Sequence, residues 1–589
     1  MRRQRFVAGV TALVVLAIAA AACTSTPAPT TTTTVPTTTT MAPTTTVAPT
    51  TTTEPLPTHP TGGEVVIAVD DEPPTLNPFL PGGDKVVGAL LSQAYAAGIY
   101  DVDADTLSYV PELITEVPTV DNGGVVLNAD GTMTVRYTIR DEAQWDDGTP
   151  VSGYDFKFTL DTILNPDYPI SKANYQDIIS ITAGDKTFEF TMARPTLQHE
   201  LMFGQIIPKH IVEGTDFLTD WNDKRWASAG PFVLESWTKG SSIRLVRNEN
   251  YWKTDPETSQ QLPYLDAVTF VFEDDTPAMI ESFAQREHDV FSPDPTIANI
   301  QTLQGLEPQG ADIQVVAGPV WEHLNFQFGP GRFNRNENSC NEVYEMRLAV
   351  AQTVDRDLLT TDILGGEVPP LQSYIDAYAP EASQEAWAQY SVDHDAAAAN
   401  YAAAVAATGR ECKVIFSTNT LNDERDRMSV MFSEMFAAVG IPYDNELENS
   451  LLYYGDTLAT GGWDMGEWTW QGSPGLSGLV GIHDVFDPDS PPPFGSNFYR
   501  WGTEDSSIID ETTARFAELR DLMNATVDSS EILEYIAEAE NILADNLVII
   551  PLYQQPVSLA VWEDEIVGVR HNPTRAGFTW NIEFWHRAE

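Results

Sequence analysis

The alternation of apolar and polar side chains is clearest between residues 130 and 164. Every second residue from 133 to 139 is apolar, which predicts a β-strand with one buried face. Ser152 and Asp155 then stand three positions apart, as in a capping box, and three apolar side chains follow at helical spacing. The pattern predicts a strand, a loop anchored by Trp145 and a capped helix.

A second pattern predicts a parallel sheet in the C-terminal half. Strand-like runs at 413–417 and 441–447 flank a helical run at 422–438, and this β-α-β order is typical of parallel strands. One face of the helix carries methionine and phenylalanine side chains: Met428, Met431, Phe432, Met435 and Phe436. A stripe of this kind is typical of a core face, so we expect it to be buried.

The N-terminus predicts export. Arginines at positions 2, 3 and 5 precede an apolar run at 7–18, and Ala20, Ala21 and Ala22 stand directly before Cys23. This order is that of a bacterial lipoprotein leader, so we expect 1–22 to be a signal peptide and Cys23 to be the lipidated first residue. Cleavage by an ordinary signal peptidase beside an incidental cysteine is the alternative.

Threonine and proline dominate the segment that follows, 23–62. Such a composition cannot bury a core, so we expect a disordered tether that proline stiffens toward polyproline II. A tether that starts at a lipidated cysteine suits a protein held at the extracytoplasmic face of the cell membrane. No later run of 18 uninterrupted apolar residues occurs, so we expect contact with the membrane only through the lipid anchor.

The formal net charge of −54 narrows the classes of partner. Nucleic-acid binding depends on Lys and Arg side chains that neutralise phosphates, so a surface this acidic excludes a nucleic-acid partner. Hydrophobic residues make up 42% of the 589-residue chain, which is enough for several packed units and excludes global disorder.

Two cysteines, Cys340 and Cys412, remain in the exported part of the chain. In an oxidising compartment such a pair predicts a disulfide. No histidine flanks either cysteine at ligand spacing, so we predict no metal site and no cofactor.

Motifs of catalysis are incomplete. His199-Glu200 lacks the second histidine of a zinc-protease helix, and the Ser-x-x-Lys at 236–239 lacks its companion motifs. The Gly-Leu-Ser-Gly at 475–478 is one residue short of a nucleophile elbow. We therefore expect a protein that is not an enzyme, with a secreted hydrolase as the rival class.

Three blocks of sequence resemble family 5 of the extracellular solute-binding proteins. The first is Arg-(x)4-Trp-x-Asp-Gly-Thr-Pro-Val-(x)3-Asp-(x)2-Phe at 140–158. Gly-Pro-Phe at 230–232 leads to Arg-Asn-Glu-Asn-Tyr-Trp at 247–252, and Arg-x-Ala-(x)4-Val-Asp-Arg stands at 347–356. The resemblance covers about residues 63–589.

The resemblance implies a two-lobed α/β fold of the periplasmic-binding-protein type, with an extra subdomain and a hinge between the lobes. Lobe I would comprise 63–108, 226–318 and 556–589. The inserted subdomain would be 109–225, and lobe II would be 319–555.

The function implied is the capture of a solute in the cleft between the lobes and its delivery to the permease subunits of an ABC importer. An oligopeptide is the expected solute, an oligosaccharide the alternative, and the protein is expected to act as a monomer. The resemblance places these residues at the ligand: Asn77, Asn325, Trp468, Trp470, Gln471, Asn497, Tyr499 and Tyr553.

The glutamine at position 471 leaves the class of solute, peptide or sugar, undecided. Peptide binders of the family have an aspartate here that pairs with the α-ammonium of the peptide, and a neutral amide loses that charge-assisted hydrogen bond. Asp464 or Glu467 could replace it. A sugar would instead use Trp468 and Trp470 as stacking platforms.

Overall fold

The computed structural model describes residues 56, 58–80, 83, 86–172, 174–273, 275–329, 336–420, 423–492 and 495–589. The predicted signal peptide, Cys23 and most of the predicted tether lie outside the described residues. Among the helices in the described ranges, none is long and apolar enough to cross a membrane.

The strands of the described residues are, in chain order, β1 Glu64–Val69, β2 Tyr100–Val102, β3 Tyr109–Pro111, β4 Val125–Leu127, β5 Met133–Thr138, β6 Ile178–Ala183, β7 Thr187–Met192, β8 Phe232–Thr238, β9 Ser242–Arg247, β10 Ala267–Phe272, β11 Val290–Phe291, β12 Ala311–Phe326, β13 Val414–Asn419, β14 Tyr443–Glu448, β15 Met465–Gln471, β16 Ile549–Trp562, β17 Ile566–Val567 and β18 His586–Arg587. The α-helices are α1 Val86–Tyr95, α2 Gly153–Leu164, α3 Lys209–Val212, α4 Thr276–Ala284, α5 Ile297–Gln304, α6 Tyr344–Thr353, α7 Arg356–Leu364, α8 His394–Thr408, α9 Asp423–Val439, α10 Ser450–Leu452, α11 Leu458–Thr460, α12 Gly475–Ile482, α13 Glu511–Met523 and α14 Ser529–Asp545.

A ten-stranded sheet runs through both lobes in the order β14-β13-β15-β12-β16-β11-β1-β10-β9-β8. Two of its inner strands, β12 and β16, are long and pair antiparallel to each other. Strands β13 to β15 extend the sheet in lobe II, and β1 with β8 to β11 extend it in lobe I. All ten strands therefore belong to one sheet.

The pairing of β12 with β16 has two register shifts, one between Ala317 and Trp321 and one between Glu322 and His323. Ala317 pairs with Pro556 and Trp321 pairs with Gln554, so β12 carries extra residues over this stretch. The side-chain amide of Gln554 donates to the Gly318 carbonyl at 2.8 Å. Bulges of this kind bend a strand, and this one lies where the chain crosses between the lobes.

Each unit has its own hydrophobic core. In the inserted subdomain the four strands β4-β5-β7-β6 pack on α2, with Trp145 only 2% exposed. The predicted strand and capped helix are both confirmed, and the Asp155 carboxylate accepts from the Ser152 amide at 2.9 Å. The same carboxylate accepts from the Lys209 amide at 2.9 Å, which fixes α3 against α2.

The predicted parallel unit of lobe II is also confirmed. Strands β13 and β14 are parallel neighbours connected by α9. The Met/Phe stripe of α9 lies in the core, with Met428, Phe432 and Phe436 fully buried. Cys340 and Cys412 form a disulfide, with their Cα atoms 5.6 Å apart and both side chains buried.

Candidate functional site

A cavity of about 730 Å³ lies where the two lobes and the inserted subdomain meet. Its lining comes from residues within 78–109, from residues within 171–205 and from residues 574–576. Lobe II contributes the segment 471–474, which follows directly from β15. Segments distant in the sequence thus form one concave site, as is usual for small-molecule sites.

The segment 471–474 is tied to the crossing between the lobes. The Gly472 amide donates to the Pro319 carbonyl at 2.6 Å. Pro319 belongs to the interrupted stretch of β12, so the lobe II wall of the cavity and the bent part of the sheet are joined by a backbone hydrogen bond.

Among the described residues that line the cavity, one is acidic, Glu200, and one is basic, Arg575. Burial raises the pKa of the Glu200 carboxyl to about 7, although a hydrogen bond with the Ser477 side chain acts in the opposite direction. Carboxyls with such raised pKa values are frequent at functional sites.

Three tyrosines contribute to the wall near Glu200. The rings of Tyr100 and Tyr109 lie 5.1 Å apart between centroids, in a tilted arrangement. The Tyr175 hydroxyl accepts from the Phe203 amide at 2.7 Å. The Tyr100 hydroxyl and the Gln205 side-chain carbonyl are buried without a hydrogen-bond partner among the described residues. A polar solute could satisfy both groups.

Side chains of the subdomain close the cavity against α12 of lobe II. The Tyr109 hydroxyl lies 3.3 Å from the Pro474 carbonyl and 3.2 Å from the Ser477 hydroxyl. The Gln198 side-chain amide donates to the Ser477 carbonyl at 3.3 Å. These contacts join two parts of the protein that have separate cores.

Of the predicted ligand residues, only Gln471 lines the cavity, and its side chain is exposed there. Trp468 does not line it, because its side chain is only 2% exposed and packs in the lobe II core. Its ring meets Trp463 edge-on at 5.1 Å. The expectation that Trp468 is a stacking platform at the cleft is therefore corrected.

Trp470 and Tyr499 engage each other rather than the cavity. The Trp470 indole N–H donates to the Tyr499 hydroxyl at 2.9 Å, and the Trp470 ring stacks on Phe498 at 6.1 Å. Tyr499 is fully buried, as is Tyr553. In this structure none of these three predicted residues borders the cavity.

The three predicted asparagines are buried and hold backbone in place. Asn77 donates to the Phe217 carbonyl at 3.1 Å, and Asn325 donates to the Gly466 carbonyl at 3.2 Å. Asn497 donates to the Trp501 carbonyl at 3.0 Å. Asn77 orders the loop whose next residues, 78 and 79, do reach the cavity.

The two acids considered as substitutes for an aspartate at 471 have internal partners. Asp464 accepts from Asn336 at 2.7 Å and from the Ile415 amide at 2.9 Å. Glu467 is fully buried against Arg425 at 2.9 Å. The acidic side chain at the cavity is Glu200, which the sequence pattern presented only as part of an incomplete zinc-protease motif.

Comparison with known proteins agrees with this geometry. The sequence profile described as bacterial extracellular solute-binding proteins, family 5 Middle, matches residues 108–477. The oligopeptide-binding protein OppA of Mycobacterium tuberculosis is 22% identical over 447 residues, which cover 72% of this chain and 71% of that protein.

Two solved structures share the fold. The periplasmic EDTA-binding protein EppA superposes with a TM-score of 0.72 and 20% identity, covering 92% of this chain and all of that one. The oligopeptide-binding protein AppA from Bacillus subtilis, in complex with a nonapeptide, superposes with a TM-score of 0.62 and 17% identity, over 90% of this chain and all of that one.

Two lobes joined by long central strands, with a cavity between them, define a periplasmic-type solute-binding protein. The chain belongs to family 5 of the bacterial extracellular solute-binding proteins. It is a binding component that works with ABC importers and not an enzyme, and members of its family act outside the cytoplasm.

Proposed function

We propose that this protein captures oligopeptides in the interlobe cavity and delivers them to the permease subunits of an ABC importer. The cavity carries the proposal, because its wall combines a carboxyl, a guanidinium and unpartnered polar groups with aromatic rings. A peptide offers matching groups, namely charged ends, backbone amides and apolar side chains. The relatedness to an oligopeptide-binding protein supports the same class of solute.

The sheet supports a hinge at the two crossings between the lobes. We assign lobe I to 63–108, 226–318 and 556–589, the subdomain to 109–225, and lobe II to 319–555. The boundaries 318/319 and 555/556 fall in the interrupted stretch between Ala317 and Trp321. Bending there moves the 471–474 segment, because Gly472 is bonded to Pro319.

The proposed setting is the outer face of the cell membrane. A lipidated Cys23 and a Thr/Pro-rich tether, 23–62, would hold the monomeric protein within reach of its permease. Replacing Cys23 by Ser should release the protein into the medium or leave it unprocessed. Membrane retention with normal processing would contradict the anchor.

The oligosaccharide alternative depended on Trp468 and Trp470 as platforms. Burial of Trp468 and the internal bonding of Trp470 remove that support. Oligosaccharide binding is therefore not proposed, and it is considered only as one possible result of the screen described next.

A thermal-shift screen tests the class of solute. The purified protein is mixed with a tryptic casein digest, with cello- and xylo-oligosaccharides, and with nickel chelates. Binding to the folded state alone raises its stability by about 2.7 kcal/mol at a hundredfold excess over Kd, so the peptide digest should raise the melting temperature. A response to sugars or nickel only would overturn the peptide proposal, and hydrolysed products would overturn the binding function.

A further inference from the structure

We propose that Glu200, which lines the cavity together with Tyr100 and Tyr109, is the group that receives a positively charged ammonium of the solute. The site would then select peptides with a free amino group over neutral ones. This inference rests on the proposed function, because it assigns a recognition role within the same cavity.

Glu200 lies on the short 3-10 turn Leu197–Leu201 of the subdomain. The preceding side chain, His199, is 2% exposed and turns inward, with its Nδ1 2.9 Å from the Thr196 carbonyl. Glu200 lines the cavity and is the single acidic side chain among the described lining residues. A cationic group in the cavity therefore has one carboxylate to pair with.

The surroundings of Glu200 favour an organic cation. Tyr100 and Tyr109 both lie close enough for the Glu200 charge to raise their pKa values, after burial, which is the larger cause. Their rings are 5.1 Å apart. A cavity wall that combines one carboxylate with tyrosine rings can bind an ammonium group through ion pairing and cation–π attraction together.

Two further groups fit a peptide better than a bare cation. The unpartnered Tyr100 hydroxyl and Gln205 side-chain carbonyl offer hydrogen bonds to polar atoms of the solute. Arg575 supplies the positive charge of the lining, so the cavity holds one charge of each sign, as a zwitterionic solute does. The net charge of −54 also attracts cationic solutes to the protein over a distance.

Proton release on binding provides a test of the Glu200 assignment that is separate from the measurement of affinity. The raised pKa of Glu200, about 7, leaves roughly half of the carboxyls protonated at pH 7 in the empty cavity. An ammonium that pairs with the carboxylate must displace that proton. We therefore expect binding to release protons near pH 7, and affinity to rise with pH through 7.

The groups that face Glu200 do not account for such a release. Tyr100, Tyr109 and Tyr137 have pKa values raised by burial to far above neutral, so they stay protonated. Helix α12, which packs on the turn, carries no titratable side chain. Burial lowers the pKa of His199, which keeps this imidazole neutral across the range.

The experiment uses isothermal titration calorimetry on the full mature chain with two probes. One probe is a tryptic casein digest, and the other is the same digest acetylated to block its amino groups. Wild type, Glu200→Gln and the control Glu213→Gln are compared. Glu213 is an exposed glutamate of the same subdomain whose carboxylate pairs with Lys209. Titrations in buffers of different ionisation enthalpy give the number of protons released.

The proposal predicts that acetylation and Glu200→Gln each weaken binding by at least about tenfold, and that the variant releases no proton. Glu213→Gln should bind like the wild type. Equal binding of both digests, with Glu200→Gln unchanged, would overturn the ammonium assignment and leave peptide capture standing. Binding of neither digest by the wild type would overturn both.

Discussion

At the residue scale, a buried ion network stabilises lobe II beside the central strands. Arg425 of α9 lies 3.1 Å from Glu322 of β12 and 2.9 Å from Glu467 of β15. All three side chains are at most 5% exposed. Burial and the neighbouring Glu322 raise the pKa of the Glu467 carboxyl well above its ordinary value, and the Arg425 charge opposes that rise, so the network depends on the arginine.

Arg425→Met should therefore destabilise the protein strongly. It leaves two buried carboxylates without their cation, a loss of about 3–5 kcal/mol in the free energy of unfolding. The matched control is Arg427→Met on the same helix, where an exposed pair with Asp362 should contribute at most about 1 kcal/mol. Urea unfolding measures both, and equal losses would contradict the account.

Glu200 should make the stability of the unliganded protein depend on pH. Its pKa is raised from 4.5 to about 7 on folding, so the folded state holds the proton more tightly than the unfolded state. Stability should then fall as pH rises from about 4.5 through 7, because the buried carboxyl must ionise.

Glu200→Gln removes this titration. Its melting temperature should exceed that of the wild type by more at pH 8 than at pH 5. The melting temperature of Glu213→Gln should differ from that of the wild type by the same amount at pH 5 and at pH 8. A difference in melting temperature between Glu200→Gln and the wild type that does not change with pH would mean that the Glu200 carboxyl is solvated in the unliganded protein.

Single-residue roles were the hardest to predict from the sequence. Trp468 and Gln471 are three positions apart on β15, yet one is buried in the core and the other faces the cavity. Glu200, Tyr100 and Arg575 come from separate segments, and no local pattern brings them together. Their shared place in one cavity wall becomes visible only once the fold brings the three segments together.

At the scale of elements, the spacing of apolar residues was sufficient to predict individual strands and helices. The predicted β-α-β unit differs from β13, α9 and β14 by only a few residues at each end, because its Met/Phe stripe requires a buried face. No pattern in the sequence predicted the interruption of the β12–β16 pairing between Ala317 and Trp321. It depends on the pairing of two strands that are more than 200 residues apart in the sequence, as the 236-residue separation of Gln554 and Gly318 shows.

The Cys340–Cys412 disulfide fastens the start of α6 to the start of β13. It closes a segment of 72 residues, and on the chain-entropy account this stabilises the folded state by about 4 kcal/mol. The double variant Cys340→Ser/Cys412→Ser should unfold at a correspondingly lower urea concentration. Two reactive thiols in the unreduced, denatured wild type would show instead that the pair is not bonded.

At the scale of the whole molecule, three units with separate cores meet at one cavity. Strands β12 and β16 run through the middle of the ten-stranded sheet, and the proposed hinge lies at the interrupted stretch of their pairing between Ala317 and Trp321. Contacts of Tyr109 and Gln198 with Ser477 close the cavity on one side. A solute that bridges the same units should stabilise them together.

A variant that fills the cavity tests most directly whether the solute binds there. Gly204 lines it, and a Cβ atom built at this position meets no other atom within 4 Å. Gly204→Trp should therefore fold normally while occupying the space of the solute. Gly204→Ala is the matched control, since it leaves most of the cavity open.

Calorimetric titration of the three proteins with the casein digest is the decisive measurement. Wild type and Gly204→Ala should bind with similar affinity, and Gly204→Trp should lose binding while keeping the melting temperature of the unliganded protein. Undiminished binding by Gly204→Trp would show that the solute does not occupy this cavity.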